Sequence, residues 1–468
     1  MTTAAARVTA LHRAIWRWHF WAGLIVAPFL LTLSLTGAIY LFNDELNDAF
    51  YPELRFVPPA ATMLPPSALI RAARAAVPGA VSRIDLPATT NRPAVVFVTR
   101  PDGAARQVSV DPGTGRVLGT INYRRTLVGW ADEMHGSLLV GTLGDRIVEL
   151  AASWALVLIG TGLFLWWPRG RWRAAGTLWP RLSGGGRRLW RDLHGPVGLW
   201  SAALIGFLIL TGLPWAGIQG EMLQRLGNAA GIGYPASFRT NNMPESRSVK
   251  ATLGDAPWAL EAAPMPHSGP AAGQHADHGG DPASPTTSDD AAIAGVDRIT
   301  ALLARQGWHG GYSLHLPRTA TGVYTAYAAP DRPEGQRTVY VDRYSHRQIG
   351  PTVRFMDYGW LARVIELGVA IHMGTYFGLA NQLLMLLPCV AIWVLTVSGV
   401  LMWWRRRPQG RLGAPPRLSG ARTSAMLVVL AVAGVMLPLF GASLLLLGLI
   451  DAGVQRLARA RLRRSAAA

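Results

Sequence analysis

The chain carries one stretch twice, and this repeat decides the fold. It reads W-R-W-H-F-W-A-G-L at Trp16–Leu24 and W-R-D-L-H-G-P-V-G-L at Trp190–Leu199. In both copies a histidine, His19 or His194, stands four residues before a Gly-Leu pair and 17 residues before a Thr-Gly pair. Because matching ungapped registers are improbable by chance, the repeat indicates an internal duplication.

A second pair of histidines opens the closing part of each half. His135 and His372 are each followed after 26 residues by a hydroxyl–glycine pair and after 31 residues by a tryptophan pair. These pairs are Thr161-Gly162 with Trp166-Trp167 and Ser398-Gly399 with Trp403-Trp404. Both tryptophan pairs run into arginines, as aromatic residues do at a membrane surface. We therefore predict a tandem duplication of helix, outer domain and helix.

The composition favours a membrane protein over a soluble one. Of 468 residues, 50% are hydrophobic and 15% are charged, and the mean hydropathy is +0.22. Five stretches lack Asp, Glu, Lys and Arg and are long enough to cross a hydrocarbon core, which takes about 20 helical residues. They are Phe20–Phe42, Leu150–Pro168, Leu193–Gln219, Leu367–Trp404 and Thr423–Ile450. The first is too long for the apolar region of a signal peptide, so we interpret it as an uncleaved anchor.

The net charge of +18 reflects how the chain is oriented in the membrane and does not indicate binding to nucleic acid. Residues 1–19, 168–195, 405–424 and 451–468 hold 21 basic and 2 acidic residues, a net charge of +19. The two long segments between spans hold the other 24 basic and 25 acidic residues, a net charge of −1. This bias predicts that the N-terminus and the arginine-rich loops are cytoplasmic and that the long segments face outward.

The fifth hydrophobic run conflicts with this orientation, because five full passes would place the arginine-rich tail outside. Pro438 and Gly441 interrupt the run, which allows a re-entrant or interfacial segment. The sequence leaves open the side of the membrane on which the C-terminus lies.

Each long outer segment has the pattern of a small α+β module, a helix followed by hairpin strands. In the first segment, the helix Ser67–Val77 precedes Ile84–Pro87 and the extended stretches Ala94–Val98 and Gln107–Val110. In the second, the helix Ile293–Arg305 precedes Leu314–Pro317 and the extended stretches Val323–Ala328 and Val339–Asp342. Both segments then carry Val-Asp-x4-Arg, ending at Arg116 and Arg347. Residues 262–292 are rich in Ala, Pro, Gly and Ser and predict a disordered linker.

The predicted fold is a mainly α membrane protein. It consists of a tandem-duplicated four-helix transmembrane bundle, a fifth C-terminal hydrophobic segment and two small α+β modules outside the membrane. The predicted boundaries are 1–43 for the N-terminus and first span, 44–134 for the first outer module, 135–168 for an outer histidine segment and the second span, 169–192 for a basic loop, 193–219 for the third span, 220–292 for an outer connection, 293–363 for the second outer module, 364–404 for an outer histidine segment and the fourth span, 405–424 for a basic loop, 425–450 for the fifth segment and 451–468 for the tail.

The four duplicated histidines lie at span ends, where an imidazole is costly unless it has a partner. The predicted orientation puts His19 and His194 at the cytoplasmic face. If the helix from His135 to Trp166 is continuous, it is about 46 Å long, and His135 and His372 lie at the outer face. A pseudo-twofold axis along the membrane normal then forms one inner and one outer pair.

Pairs of neutral imidazoles are the axial ligands of six-coordinate b-type haem iron. The sequence has no Cys-x-x-Cys-His for covalent c-type attachment, and its single cysteine, Cys389, cannot form a disulfide or an iron–sulfur cluster within the chain. Three alternatives stay open: interfacial hydrogen-bonding histidines, a zinc or copper site, and a proton relay. Against the last two, no carboxylate or thiol completes a ligand set in the same register, and the spans hold no buried Asp or Glu.

The other seven histidines have no repeated partner. We expect ordinary surface or hydrogen-bonded residues at His12, His309, His315 and His346. The linker holds His267, His275 and His278. A loose metal site there stays open, but the composition favours a linker without fixed geometry.

Four motifs within residues 10–410 together resemble the PepSY-associated transmembrane family. They are H-F-W-A-G-L at 19–24, W-A-D-E-M-H-G-S-L at 130–138, L-H-G-P-V-G-L-W at 193–200 and S-G-V-L-M-W-W-R-R-R at 398–407. This family includes bacterial inner-membrane proteins induced by iron limitation and ferrisiderophore reductases. The resemblance implies PepSY modules in the periplasm and haem b held by histidines of the helical bundle. Together with the inner and outer histidine pairs, it predicts two haems with bis-histidine ligation. It assigns the axial ligands to His19, His194, His135 and His372.

The leading hypothesis is a transmembrane haem electron-transfer protein that reduces periplasmic ferric chelates such as ferric siderophores. Reduction releases the metal, because Fe(II) binds the hard oxygen donors of a siderophore more weakly than Fe(III) does. The sequence has no flavin or nicotinamide fingerprint, so we expect a cytoplasmic donor or the quinone pool to supply electrons. The candidate substrate contacts are Arg124, Arg125, Trp130, Arg354 and Tyr358.

Two functions without catalysis are the alternatives. PepSY modules resemble inhibitory propeptide domains, so the chain could be a membrane-anchored regulator or binding module. It could also be an accessory subunit of a metal or siderophore transporter. Neither function requires four histidines in a repeated register. The expected partners are the lipid bilayer, a ferric chelate and an electron donor, and the oligomeric state stays open.

Overall fold

The computed structural model describes residues 3–168, 173–182, 186–235, 248–253, 256–268, 289–408 and 424–465. Its helices are α1 (Thr3–Tyr40), α2 (Asn43–Phe50), α3 (Pro52–Arg55), α4 (Pro66–Ala76), α5 (Leu127–Ser137), α6 (Thr142–Trp166), α7 (Gly186–Gly212), α8 (Gly217–Ala229), α9 (Val249–Leu253), α10 (Trp258–Glu261), α11 (Asp289–Arg305), α12 (Trp360–His372), α13 (Leu379–Arg406), α14 (Ser424–Met436) and α15 (Pro438–Ser465). Its strands are β1 (Ala80–Leu86), β2 (Ala94–Thr99), β3 (Ala105–Val110), β4 (Val117–Ile121), β5 (Tyr312–His315), β6 (Tyr324–Ala328), β7 (Arg337–Val341) and β8 (Gln348–Arg354).

The chain folds as two compact units, which we describe separately. The first, the helical unit, contains Met1–Leu41, Asp132–Leu223 and Leu383–Ala468. The second, the sheet unit, contains Phe42–Ala131 and Gln224–Gln382.

The sheet unit is built on one antiparallel sheet with the strand order β4-β3-β2-β1-β5-β6-β7-β8. Its central pairing joins the two halves of the sequence, with Arg83 opposite His315 and Leu86 opposite Tyr312. The prediction of two separate small modules is therefore wrong in one respect, since their strands form a single sheet. Pairing β1 with β5 removes two exposed strand edges, which are templates for aggregation.

One apolar core lies on one face of this sheet, under α4 and α11. From α4 it takes Leu69, Ile70 and Ala73, at helical spacing. Alternate residues of the strands complete it, among them Ile84 in β1, which is fully buried. The hydroxyl of Ser67 donates to the carboxylate of Asp297 over 2.5 Å and ties the two helices together.

The predicted helices and hairpin strands of both segments are present, with ends that differ by a few residues. The sequence patterns missed β1, β4, β5 and β8. The motifs Ile84–Pro87 and Leu314–Pro317 lie at the ends of the central strands β1 and β5, whose mixed sequences hide the alternation expected of a half-buried strand.

The ends of the predicted disordered linker are ordered. Ala263, Met265 and Ser268 are buried, and the hydroxyl of Ser268 accepts a hydrogen bond from the backbone N–H of Arg343 at 2.8 Å. At the other end, α11 begins at Asp289. The prediction is therefore wrong at both ends, and residues 269–288 lie outside the described part of the chain.

The helical unit supplies the membrane spans. Within the described residues, four helical segments are long and apolar enough to cross a membrane: Leu11–Tyr40, Thr142–Trp166, Arg188–Trp215 and Leu379–Arg406. Indole side chains supply two of the hydrogen bonds between the helices of this unit. The indole of Trp393 donates to Ser34 at 2.9 Å, and that of Trp154 donates to Ser443 at 3.1 Å.

The helix from His135 to Trp166 is interrupted, so the condition of a continuous helix about 46 Å long is not met. α5 ends at Ser137, and Leu138, Leu139 and Gly141 have positive φ values of 49°, 61° and 61° before α6 begins at Thr142. The predicted span Leu367–Trp404 is divided in the same way, because Gly374 and Gly378 have positive φ between α12 and α13. Each outer histidine thus lies on a short helix that ends before the span.

The fifth hydrophobic run is broken at Pro438, as the sequence predicted. α14 has 13 residues, so it rises about 20 Å, less than the thickness of a hydrocarbon core. Gly434 and Gly441 bring α14 and α15 into close contact, since a Cβ atom on Gly441 would lie 3.0 Å from the Cα atom of Gly434. Phe440 packs against Trp154 of α6 with ring centroids 4.9 Å apart.

Candidate functional site

The structure brings His19 and His194 together inside the helical unit. Their ring centroids are 6.3 Å apart, and the ring planes are nearly perpendicular, at 89°. His19 lies on α1 and His194 on α7, so the two repeated W-R segments supply one histidine each. These are the residues that the sequence predicted as the inner pair.

Each of the two rings is held through Nδ1 by the hydroxyl of a different hydroxyl–glycine pair. These are the pairs near the end of the first and of the second half of the sequence. Nδ1 of His19 lies 2.9 Å from the hydroxyl of Thr161 on α6. Nδ1 of His194 lies 3.1 Å from the hydroxyl of Ser398 and 3.0 Å from the carbonyl oxygen of Leu395, both on α13.

His135 is held in the same manner by the first span. Its Nδ1 lies 3.2 Å from the hydroxyl of Thr36 and 3.0 Å from the carbonyl oxygen of Leu33, both on α1. Burial lowers the pKa of His135 below its ordinary value of 6.5, so the ring is neutral at physiological pH.

Each of these three hydroxyls has a second neighbour within its own helix. The hydroxyls of Thr36, Thr161 and Ser398 lie 2.8, 2.7 and 2.6 Å from the carbonyl oxygens four residues earlier in their own helices. A carbonyl oxygen can only accept, whereas a hydroxyl can donate its single hydrogen there and accept from an imidazole N–H.

The glycine of each pair leaves room for the imidazole ring. A Cβ atom built on Gly37 or Gly162 would lie 3.2 Å from Cε1 of His135 or His19. The same atom on Gly399 would lie 3.4 Å from Cε1 of His194. The sequence analysis identified these hydroxyl–glycine pairs as repeats but did not predict that they hold histidines. The pattern Leu-x-x-Thr/Ser-Gly, which occurs in all four spans, is the sequence signal that could have indicated this role.

His372 belongs to the sheet unit, whereas His135 belongs to the helical unit. His372 is the last residue of α12, and the carbonyl oxygen of the preceding Ile371 accepts a 2.7 Å hydrogen bond from the side chain of Asn381. The pairing of His135 with His372 stays a prediction.

The five predicted substrate contacts all lie in the sheet unit, and one of them is wrong. Arg124 and Arg125 are exposed in a short turn before α5, and Trp130 and Arg354 are exposed as well. Tyr358 is only 2% exposed and packs against Phe355 with ring centroids 6.0 Å apart. Its side chain therefore cannot meet a ligand at the surface.

The statement that the spans hold no buried acid is also wrong, because α6 begins eight residues before the predicted span. Glu149 is 1% exposed within α6. Its carboxylate accepts hydrogen bonds from the backbone N–H groups of Ile218 at 2.9 Å and Gln219 at 3.1 Å, in the first turn of α8. Glu149 thus stabilises a helix N-terminus, which gives this acid a structural role.

A buried ion pair lies next to the inner histidines in the chain. Asp192 is fully buried, and it accepts hydrogen bonds from Arg181 at 2.5 and 3.0 Å. Asp192 stands in α7 two residues before His194, so this pair joins the loop residue Arg181 to the helix that carries His194. The sequence showed Asp192 only as the single acid of an arginine-rich loop.

Within the described residues, no group of three or more His, Cys, Asp or Glu side chains is placed to hold a metal ion. His267 is exposed, and His275 and His278 lie outside the described residues. His19 and His194 offer a pair of imidazoles, a donor set that suits an iron whose other ligands come from a porphyrin.

Comparison with known proteins identifies the family. No curated protein matches the chain. A family model described as the PepSY-associated TM region matches residues 16–406, which is more than half of the chain. The chain is a multi-pass membrane protein that belongs to the PepSY-associated TM family.

Proposed function

We propose that this protein is a transmembrane b-type haem electron-transfer protein that reduces ferric chelates outside the cytoplasm. One observation carries the proposal: the rings of His19 and His194 have centroids 6.3 Å apart, and each ring uses Nδ1 for its hydrogen bonds to the protein. Histidines that bind metals characteristically donate their other N–H to the protein in this way.

The separation of the two rings suits a shared iron. An imidazole nitrogen binds a transition metal at about 2 Å, so two rings on opposite sides of one ion have centres roughly 6 Å apart. The ring centres of His19 and His194 are 6.3 Å apart. Haem held by these two nitrogens would supply a one-electron carrier whose potential the protein sets through its axial ligands.

A second centre is supported by the repeat. His135 has the same Nδ1 bonding as the inner pair, and His372 occupies the matching position in the second half. The sheet unit supports the duplication as well, since each half contributes a four-stranded meander. Asp111 and Asp342 open matched turns, in which their backbone N–H groups bond to the carbonyl oxygens of Arg116 at 2.9 Å and Arg347 at 2.8 Å.

The proposed location is the bacterial inner membrane, with the N-terminus in the cytoplasm and the PepSY modules in the periplasm. The arginine bias supports this orientation. The four candidate spans among the described residues support it as well, since four crossings from a cytoplasmic N-terminus would end on the cytoplasmic side, where α13 closes with the arginine-rich stretch Arg405–Arg407.

The proposed substrate is a ferric siderophore or another ferric chelate. Each metal ion takes one electron, Fe(III) becomes Fe(II), and the weaker oxygen ligation of Fe(II) favours release. The sequence has no nucleotide-cofactor fingerprint, which supports a separate electron donor, either a cytoplasmic reductase or a quinol. The exposed Arg124, Arg125 and Arg354 provide positive charge for an anionic chelate.

The test is a spectrum of the full-length protein purified in detergent from haem-replete cells. We expect the reduced-minus-oxidised spectrum of six-coordinate b-type haem. The variant His194→Ala should lose the inner centre, and the control His309→Ala, which removes an exposed histidine, should keep it. Adding a ferric siderophore to the reduced protein should reoxidise the haem. A colourless protein would overturn the proposal in favour of a regulatory or accessory role, and a haem that stays reduced would overturn the substrate.

A further inference from the structure

We infer that Thr36, Thr161 and Ser398 are positioning residues that fix the Nδ1–H tautomer of His135, His19 and His194, so that each ring presents the lone pair of Nε2. The inference deepens the proposed haem function and rests on it, because the Nε2 lone pair matters only if it binds haem iron. The assignment of the tautomer depends only on the hydrogen-bond geometry of the helical unit.

Back-bonding gives each hydroxyl a fixed direction. A Thr or Ser side chain in a helix can donate to the carbonyl four residues earlier. All three residues do so, at 2.8, 2.7 and 2.6 Å. The remaining lone pairs of the oxygen then point away from the helix and accept only from a donor.

A second acceptor favours the Nδ1–H tautomer of His135 and of His194. It is the backbone carbonyl of the leucine three residues before the Thr or Ser hydroxyl. The carbonyl oxygens of Leu33 and Leu395 lie 3.0 Å from Nδ1 of His135 and His194. If the hydrogen were on Nε2, the unprotonated Nδ1 would lie against two oxygens that both accept, the leucine carbonyl and the hydroxyl. A buried acceptor left without a donor costs about 1–3 kcal/mol. The Nδ1–H tautomer avoids this cost.

The hydroxyl acts on the metal ligand as well as on the tautomer. A hydrogen bond from Nδ1–H raises the basicity of Nε2 and fixes the plane of the ring. More basic axial ligands stabilise Fe(III) relative to Fe(II), so loss of the hydroxyl should raise the midpoint potential. Loss of an outer partner of this kind weakens metal binding by about 10- to 100-fold in metal sites.

The glycine after each hydroxyl completes the site. A Cβ atom on Gly162 would press on Cε1 of His19 at 3.2 Å, whereas one on Gly160 would meet no atom within 4 Å. We therefore expect Gly162→Ala to displace the ring of His19. Gly160→Ala, on the same helix, is the matched control.

The first experiment measures the tautomer in the haem-free full-length protein, from the ¹⁵N shifts of the histidine side chains. We expect Nδ1–H for His19 in the wild type and in Thr161→Ser, and a mixture of tautomers in Thr161→Val. A hydrogen on Nε2 of His19 in the wild type would overturn the inference. So would a Thr161→Val spectrum identical to the wild type.

The second experiment measures haem affinity and midpoint potential. Thr36→Val should weaken haem binding by about 10- to 100-fold and raise the potential of one centre. Thr32→Val is the matched control, because Thr32 also back-bonds on α1, to the carbonyl of Pro28 at 3.0 Å. Unchanged affinity and potential in Thr36→Val would contradict the positioning role. A protein with the Nδ1–H tautomer and no haem would refute the proposed function while leaving the tautomer assignment intact.

Discussion

The two units place their polar groups differently, and the difference shows where chemistry is possible. In the sheet unit, strands from both halves of the sequence close one continuous apolar core, and its buried carboxylates bond to the unit itself. In the helical unit, three imidazoles bond to the protein through Nδ1, and in the proposed function their Nε2 atoms are the haem ligands. The buried polar groups of the sheet unit thus hold that unit together, whereas those of the helical unit are the proposed ligands.

The largest effect is expected from the one fully buried acid beside the inner histidines. Asp192→Ala removes the carboxylate that accepts both hydrogen bonds of Arg181, and with it the contact between this loop and α7. Hydrogen exchange over residues 188–200 should accelerate, and haem content should fall. The control Arg191→Ala removes a 65% exposed side chain that bonds to the same carboxylate and should change little. Equal effects of the two variants would show that the helical unit does not depend on this pair.

A cavity in the sheet core should weaken the sheet unit and spare the helical unit. Ile84→Ala removes a fully buried side chain from the central strand, at a cost of about 2–5 kcal/mol. Exchange in β1 and β2 should accelerate, while the haem spectrum keeps its shape. Met63→Ala, at a position 49% exposed, should be near neutral. Loss of the haem spectrum in Ile84→Ala would break the distinction between the two units.

Glu366 tests whether a buried acid of the sheet unit serves only cohesion. Its carboxylate accepts hydrogen bonds from the backbone of Ala259 at 3.2 Å and from the amide of Gln336 at 3.1 Å. Glu366→Ala leaves both donors unsatisfied and should cost about 1–3 kcal/mol. Glu366→Gln should cost less, since the amide of Gln336 can rotate to accept.

The pH dependence of the sheet unit follows from the same residue. Burial raises the pKa of Glu366 above its ordinary value of 4.5. The folded state then holds this proton more tightly than the unfolded chain, so the unfolding free energy should fall as the pH rises from 4.5 through the raised value. Glu366→Gln should flatten this slope in a chemical unfolding series. A slope unchanged in that variant would assign the pH dependence to another group.

The smallest effect is expected at the surface of the sheet unit. Arg124→Ala and Arg125→Ala remove exposed charges, so stability should change by less than about 0.5 kcal/mol. The KM for an anionic ferric chelate should rise roughly two- to fivefold, less so at high salt. The control is Arg318→Ala, another exposed arginine. A KM that rises equally in the control would remove these two arginines from the substrate path.

The sequence predicted the helical unit better than the sheet unit, because long apolar runs and ungapped repeats are local signals. The four spans and the break at Pro438 follow from such patterns. The pairing of Arg83 with His315 joins strands more than 200 residues apart, and the sequence around either residue does not predict it. The interruption at Leu138 and Leu139 was hidden for a related reason, since non-glycine residues rarely adopt positive φ.

The sequence was enough to predict which residues belong to the candidate site, but not how they are arranged in space. Repeats marked the four histidines and the hydroxyl–glycine pairs, and charge placed them at span ends. Which hydroxyl meets which ring depends on helix packing: Thr161 reaches His19 of the same half, and Ser398 reaches His194 of its own half. The tautomer becomes visible only when both bonds of each hydroxyl are known.

The most direct test of the central claim is the ratio of haem to protein in the purified full-length chain and in two single variants. The account predicts two haems per chain in the wild type, and one each in His194→Ala and His372→Ala, with different centres lost. A wild type without haem would contradict the account. Loss of both haems in either variant, or of the same centre in both, would contradict the assignment of His194 and His372 to separate pairs.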